Sequence, residues 1–374
     1  MKVKIMMAVI RTTLFLFFVG WCGIPLQGLY AQALLLDVPP RNYVCYRLAE
    51  PLEIDGRLDE DAWQRVPWTE DFVDIEGDRM PLPLHRTRAK MVWDDEYLYI
   101  GFELEEPHIW ATYTERESVI FHENNIEVFI DPSGDSHHYV EFQVNALGTE
   151  WDLMLTKPYR YGGLPISAWD ISGLKTGIHL SGTINDPSDV DTLWSVELAL
   201  PWRILSEVAP WKRRPAPGEQ WRINFSRVQW RLDIVDGAYQ KTVNPDTGRP
   251  YPEYNWVWSP QLAINMHIPE YWGYVQFSGL PAGEGEEPFV PHPDLEIKYL
   301  LRELFYEQYR YRYENGHFAA TLEELSHEKM ELYQKYAFIF DVSRTRFRLS
   351  CPSMDGNSTW HITEDSRIWK EGHF

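Results

Sequence analysis

Cysteine is scarce in this sequence, with three residues in 374. Cys22 falls in a leader described below, which leaves Cys45 and Cys351. In an exported protein such a pair either forms a disulfide or remains as two buried thiols, and the sequence leaves both open. Basic charge is also short: 35 Lys and Arg against 56 Asp and Glu give a net charge of −21. A surface this acidic argues against nucleic acid and anionic lipid as partners. It suits a neutral ligand, bound cations or solubility. Zinc spacing is missing, because His122 and the His137-His138 pair have no matching Cys or His-x₃-His partners. There is no Gly-rich phosphate loop, no Gly-x-Ser-x-Gly elbow and no EF-hand loop.

Long apolar runs are confined to the start of the chain. Lys2, Lys4 and Arg11 precede TLFLFFVGW, and Ala31-Gln32-Ala33 supplies small residues for cleavage. This reads as a secretory signal over residues 1–33, too short and wrongly flanked for a stable span. Trp21 stands before Cys22 where a lipidation signal needs a small residue. The expectation is an exported protein (periplasmic, cell-surface or extracellular) with no membrane insertion after signal removal. Losing the three basic residues of the leader takes the net charge to about −24.

What is abundant is aromatic. Trp numbers 17 and Tyr 21, and Phe, Trp and Tyr make up 15% of the chain. Rings with an apolar face and a polar handle serve binding surfaces as well as cores. From about Tyr43 to Phe277 the pattern is mostly β. RTRAKMVW (86–93) and YLYIGFEL (97–104) flank the turn Asp94-Asp95-Glu96. NIEVFIDP (125–132) places Ile126, Val128 and Ile130 on one face. HYVEFQVNALG (138–148) places Val140, Phe142 and Val144 on one side and Glu141, Gln143 and Asn145 on the other. TLWSVELALPW, WRINFSRVQW and YVQFSGL continue the set. Many short strands with few helix-length runs indicate an all-β, two-sheet antiparallel β-sandwich, jelly-roll or immunoglobulin-like, over residues 34–280.

Residues 281–293, rich in Pro, Gly and Glu, read as a linker. Residues 294–374 read as a small α+β appendage, a possible contact for a protein partner. A helix over Leu295–Gly316 stops at Gly316. A second, short helix opens at the Thr321-x-x-Glu324 capping box. Three strands follow, in YAFIFDV, TRFRLSC and STWHIT.

The ordered series LEIDGRLDEDAWQRV, KMVWDDEYLYIGFEL, NNIEVFIDP, YVEFQVNALGT and WSVELALPW resembles the family 9 carbohydrate-binding module. The later PGEQWRINFSRVQW, WVWSP and MHIPEYWGYVQF look like its larger bacterial relatives. The resemblance covers most of residues 43–280. It implies a β-sandwich that binds sugar, often a glycan chain end, between two aromatic rings, with structural calcium, in company with polysaccharide-degrading enzymes. Carried over by position, the clamp rings fall on Phe121 and Trp258, and the hydroxyl-gripping groups on Glu127, Gln143 and Asn145. Phe121 stands where the family has Trp, and Gln143 where its best-known module has Arg.

A pyranose presents a face of C–H bonds and a rim of hydroxyls, which an aromatic ring and planar amides or carboxylates satisfy. Trp256 and Trp258, two apart in EYNWVWSP, share one side of an extended segment. Trp258, near the strand end at Pro260, is expected as a ring platform, and Trp256 as packing or a secondary contact. Trp93, Trp151, Trp194, Trp202, Trp221 and Trp230 are expected in the core. Calcium is expected through acidic turns such as Asp131–Asp135 or Asp55–Glu60. Two alternatives stand beside sugar binding. The departures at Phe121 and Gln143 motivate an interaction module that has lost its sugar. Glu127 and Glu141 offer a carboxylate pair for glycoside hydrolysis.

Overall fold

Alternation dictates the sheet. In the computed structural model, which describes residues 35–325 and 330–372, the inward sets Ile126/Val128/Ile130 and Val140/Phe142/Val144 are all buried in one core. The secretory leader and Cys22 lie outside the described residues. In chain order the sandwich strands are β1 (Asn42–Arg47), β2 (Val73–Asp74), β3 (Thr87–Trp93), β4 (Tyr97–Glu105), β5 (Asn125–Asp131), β6 (Tyr139–Asn145), β7 (Glu150–Leu155), β8 (Pro165–Ile166), β9 (Lys175–Ser181), β10 (Leu193–Pro201), β11 (Gln220–Gln229), β12 (Leu232–Val235), β13 (Ala238–Lys241), β14 (Tyr254–Val257) and β15 (Gly273–Pro281). Eleven of them run in the order β8-β7-β6-β5-β11-β15-β1-β3-β4-β10-β9, with β14 attached to β11 and β2 to β14, while β12 and β13 pair as a separate hairpin.

This path folds over on itself to give two layers. Phe102 of β4 meets Phe225 of β11 edge to face at 5.0 Å. Trp93 of β3, Trp202 after β10, Trp221 of β11 and Phe277 of β15 form a second edge-to-face group, with centroids 5.4 to 6.2 Å apart. Edge-to-face rings add about 0.5–1.5 kcal/mol each beyond the area they bury. The fold is a β-sandwich, and the ladders are antiparallel except at β1. That strand runs parallel to β15 on one side and to β3 on the other, joining the two layers.

The appendage has its own core, with Leu300, Leu304 and Phe305 of the helix Leu295–Asn315 against Leu349, Ile362 and Ile368. Its four-stranded antiparallel sheet is β16 (Ile339–Val342), β17 (Phe347–Pro352), β18 (Ser358–Thr363) and β19 (Ile368–Gly372). Gly316 ends the helix in a left-handed turn at φ 77°, where a Cβ is costly. The expected second helix does not open at Thr321; a four-residue helix stands further on, at Met330–Tyr333. Residues 321–325 are turns, with Glu324 Oε2 accepting the Ala320 N–H at 2.6 Å. That carboxylate reaches past Thr321, closing a turn instead of opening a helix.

The appendage is pinned to the sandwich. Arg302 donates to Ser136 Oγ at 2.6 Å. Glu270 takes Arg160 at 2.9 Å and the Tyr306 hydroxyl. Residues 281–293 are laid along β15, with Val290 N donating to Gln276 Oε1 at 2.9 Å and Glu287 N to Tyr46 Oη at 3.0 Å. Cys45 sits in the sandwich core and Cys351 in the appendage core, each a free thiol. Burial pushes both thiols up, Cys351 to about 12. Among the described residues, no helix is long and apolar enough to cross a membrane.

Candidate functional site

The outward face of β7-β6-β5-β11-β14 carries the side chains that alternate with the core. Register places Trp151, Gln143, Glu127 and Ser226 in one cross-strand row, and Leu153, Glu141 and Phe129 in the next. Three chain segments stand over this face: the turn at Ile120–His122, the turn at Tyr159–Tyr161 and the loop through Ile264–His267. Together they enclose an open cavity of about 310 Å³. Glu127, Glu141, Gln143 and Asn255 line it with polar groups, and Phe121, Trp151, Tyr159, Met266 and His267 with rings and apolar surface. Glu127, Glu141 and Gln143 are buried because loops wall this face off, not because they belong to the core.

The polar floor is internally ordered. Gln143 Nε2 donates to Glu141 Oε1 at 2.8 Å, and Gln143 Oε1 accepts from Asn125 Nδ2 at 3.4 Å. Burial raises the Glu127 carboxyl well above its ordinary range, and the charge of Glu141 adds to the shift. Burial likewise raises Glu141 to about 7. Burial lowers His267 to about 3, so its ring is neutral; its Nδ1 lies 2.9 Å from the Tyr139 hydroxyl. Phe121 and Trp151 lie with centroids 6.4 Å apart and planes tilted by 30°, and Tyr159 stands edge-on to His267 at 4.7 Å. Phe121 is 37% exposed at the rim.

Of the expected site residues, Phe121, Glu127 and Gln143 meet in this cavity. Trp258 does not. It is 0% exposed, stacks on Phe225 at 5.7 Å, and donates from Nε1 to Glu70 at 3.0 Å. It lies so close over Gly273 that a Cβ there would fall 2.4 Å from its ring. Trp256 is also in the core, stacked on Tyr254 at 5.6 Å with the Arg227 guanidinium 5.2 Å from its centroid. The two tryptophans do share a side, but it is the inward one. Trp256 pairs with Arg227 of β11, whose neighbours Phe225 and Ile223 point into the core. The outward positions of β14 go to Asn255 and Val257, and Asn255 reaches the cavity.

Asn145 is likewise committed elsewhere. Its Nδ2 donates to Glu123 Oε1 at 2.6 Å and to Tyr113 O at 2.9 Å, and its Oδ1 accepts from Leu147 N and Thr149 N. It shapes the turn between β6 and β7 and does not line the cavity. Trp151, expected in the core, is a wall of the cavity. Its signal was the register itself, since it stands opposite Gln143. Tyr159 and His267 come from loops, and periodicity says nothing about such residues.

The acidic turns are closed on themselves. Asp131 accepts Gly134 N at 2.9 Å and Ser136 N at 2.8 Å, and Asp55 accepts Arg57 N at 2.8 Å. Glu117, Asp152 and Asp170 converge. The Arg116 guanidinium already bridges them, 3.3 Å from Glu117 and 3.1 Å from Asp152, and also bonds Asp170. In this conformation these carboxylates are held by protein donors.

Residues 54–210 match the family model described as Carbohydrate family 9 binding domain-like. That stretch lies within the region whose motifs resemble this family. It contains Phe121, Glu127, Glu141, Gln143, Trp151 and Tyr159, whereas Asn255 and His267 lie beyond it. Among solved structures, the chain is similar to a family 9 carbohydrate-binding module from Caldicellulosiruptor kristjanssonii in complex with glucose. The two are 16% identical over 66% of this chain and 100% of that one, with a TM-score of 0.41. A cellotriose complex from the same organism is 15% identical over 67% and 100%, with a TM-score of 0.40. A Bacteroides uniformis protein is 12% identical over 64% and 99%, with a TM-score of 0.45. No curated protein matches the chain.

Proposed function

We propose that this protein is a sugar-binding module whose site is the cavity lined by Phe121, Trp151 and Tyr159. The observation that carries this is the pairing of aromatic walls with a polar floor inside one open cavity, on a domain of the family 9 type. Ring faces suit the C–H surface of a pyranose, and Gln143, Asn255 and the two glutamates suit its hydroxyls. The export expected from the leader, and service in polysaccharide breakdown, belong to this reading.

The geometry favours binding over hydrolysis. Glu127 and Glu141 rise from adjacent strands on the same face, Glu127 opposite Gln143 and Glu141 opposite Phe129. A glycosidase flanks its scissile bond with a carboxylate on each side. These two approach a ligand from one side only.

Calorimetric titration with neutral mono- and oligosaccharides, with calcium and with chelator, tests the reading. Heat that vanishes in a folded Trp151→Ala variant is the expected result; absence of heat from the folded wild type across the panel overturns it. Expression with the complete leader in an exporting bacterial host, followed by mass measurement of the released chain, tests export. A mass beginning after Ala33 is expected.

A further inference from the structure

The cavity has an excess of one charge. Glu127, Glu141 and Glu253 line it, and its lining includes neither lysine nor arginine. The cations nearby are engaged elsewhere. Arg160 is buried against Glu270 at 2.9 Å. Lys241 lies 3.3 Å from the centre of the Trp230 ring and bonds the His122 carbonyl. Gln143, in contact with Glu141, offers an amide and no charge. His267, whose Nε2 is 3.9 Å from Glu141 Oε2, is kept neutral by burial and by repulsion from Arg160. The phenols of Tyr139 and Tyr159 near Glu141 bring no positive charge. Glu127 and Glu141 therefore face the ligand space without an ion-paired lysine or arginine, while Lys241 acts on Glu253, and Arg160 on His267, only through longer-range fields.

We infer that this cavity selects a sugar bearing a free ammonium group, an amino sugar, over the neutral sugar and the uronic acid of the same ring. The inference rests on the sugar-binding reading and sharpens it to a ligand class. An ammonium supplies N–H donors to carboxylate oxygens in charge-assisted bonds, roughly twice as strong as neutral ones. A uronate, itself an anion, brings no cationic donor and opposes ionisation of these carboxyls. Burial keeps Glu127 and Glu141 from ionising fully in the empty cavity, and the charge of Glu141 adds to the effect at Glu127. A bound cation removes that obstacle, so binding expels protons from them into solvent.

The test is calorimetry on the wild-type protein at pH 6, with glucosamine, glucose, N-acetylglucosamine and glucuronic acid, repeated with the corresponding galacto sugars. Each titration is run in two buffers of different ionisation enthalpy. In the series that binds, the free amine is expected to bind at least about tenfold tighter than the neutral sugar, with proton release, and the uronic acid weakest. Glu127→Gln is expected to narrow the amine-to-neutral ratio. Neutral sugar bound as tightly as the amine, or uronic acid bound equally well, overturns the inference and leaves the sugar-binding reading standing. A ratio unchanged in folded Glu127→Gln overturns it too. Binding of none of these sugars overturns both.

Discussion

Trp258 lies nearly flat on Phe225, with ring centroids 5.7 Å apart and planes 30° apart, sealed from solvent at the centre of the sandwich. This contact decides between two roles for the most conspicuous aromatic pair in the sequence. Trp258→Ala is expected to cost about 3–5 kcal/mol of stability, as large-to-small changes in a packed core do. Denaturant titration reads this directly. Trp258→Phe, which keeps a ring on Phe225 and loses the N–H donated to Glu70, is expected to fold and to bind sugar as the wild type does.

The opposite outcome is expected at the cavity wall. Trp151→Ala and Phe121→Ala remove ring surface beside Glu127 and Gln143 and leave the main sandwich core untouched, although Trp151 also packs on the smaller cluster around Phe129, Tyr139 and Leu153. Each is expected to weaken sugar binding by about tenfold or more, since stacking on an aromatic ring is worth about 1–3 kcal/mol, with little change in melting temperature. Calorimetric titration alongside thermal unfolding separates the two effects.

Glu141 makes stability depend on pH in a defined direction. Its folded carboxyl titrates at about 7 because burial disfavours the anion, against an ordinary value of 4.5. Between those two values the folded state holds a proton that the unfolded state has released. Raising the pH through that window therefore favours unfolding, by up to about 1.4 kcal/mol per pH unit. Below the window both states are protonated and the effect disappears. Glu141→Gln is expected to gain stability relative to wild type between pH 5 and pH 7, as read by urea denaturation at both. An unchanged difference would mean that Glu141 is already ionised in the fold.

Glu270 ties the appendage to the sandwich through Arg160 and the Tyr306 hydroxyl, all of them buried or nearly so. Glu270→Gln removes the negative charge from a buried pair and is expected to cost about 3–5 kcal/mol. In the wild type the two parts are expected to melt in a single calorimetric transition, and in the variant the appendage is expected to loosen first. Limited proteolysis that cuts within residues 295–372 before the sandwich reads that change.

Alternation made the strands legible. Glu127, Gln143 and Glu141 lie on the faces where the residue spacing put them, and Gly316 ends its helix as expected. Alternation names two faces, however, and does not say which of them is covered. Trp256 and Trp258 share a side as expected, and Trp256 packs as one of its two readings had it, but Trp258 is buried where a rim platform was expected. The face bearing Glu127 and Gln143 was legible as polar but not as walled. Its walls come from Tyr159 and from the loop holding His267, brought there by tertiary folding. Asn145 has the same alternation as Gln143, and only its four local hydrogen bonds tell the two apart. The parallel strand β1 also left no local signature, because pairing direction depends on where a strand's partners lie.

That strand has a mechanical consequence. β1 and β15 run side by side in the same direction, from Asn42 opposite Tyr274 to Arg47 opposite Pro281. A tension that draws the chain before Asn42 away from the chain after Pro281 loads their shared hydrogen bonds in shear, all rungs together. An antiparallel hairpin pulled at its open end would instead unzip rung by rung. A sandwich held at its leading end and loaded through the segment beyond β15 is thus gripped by its first and last strands at their strongest geometry.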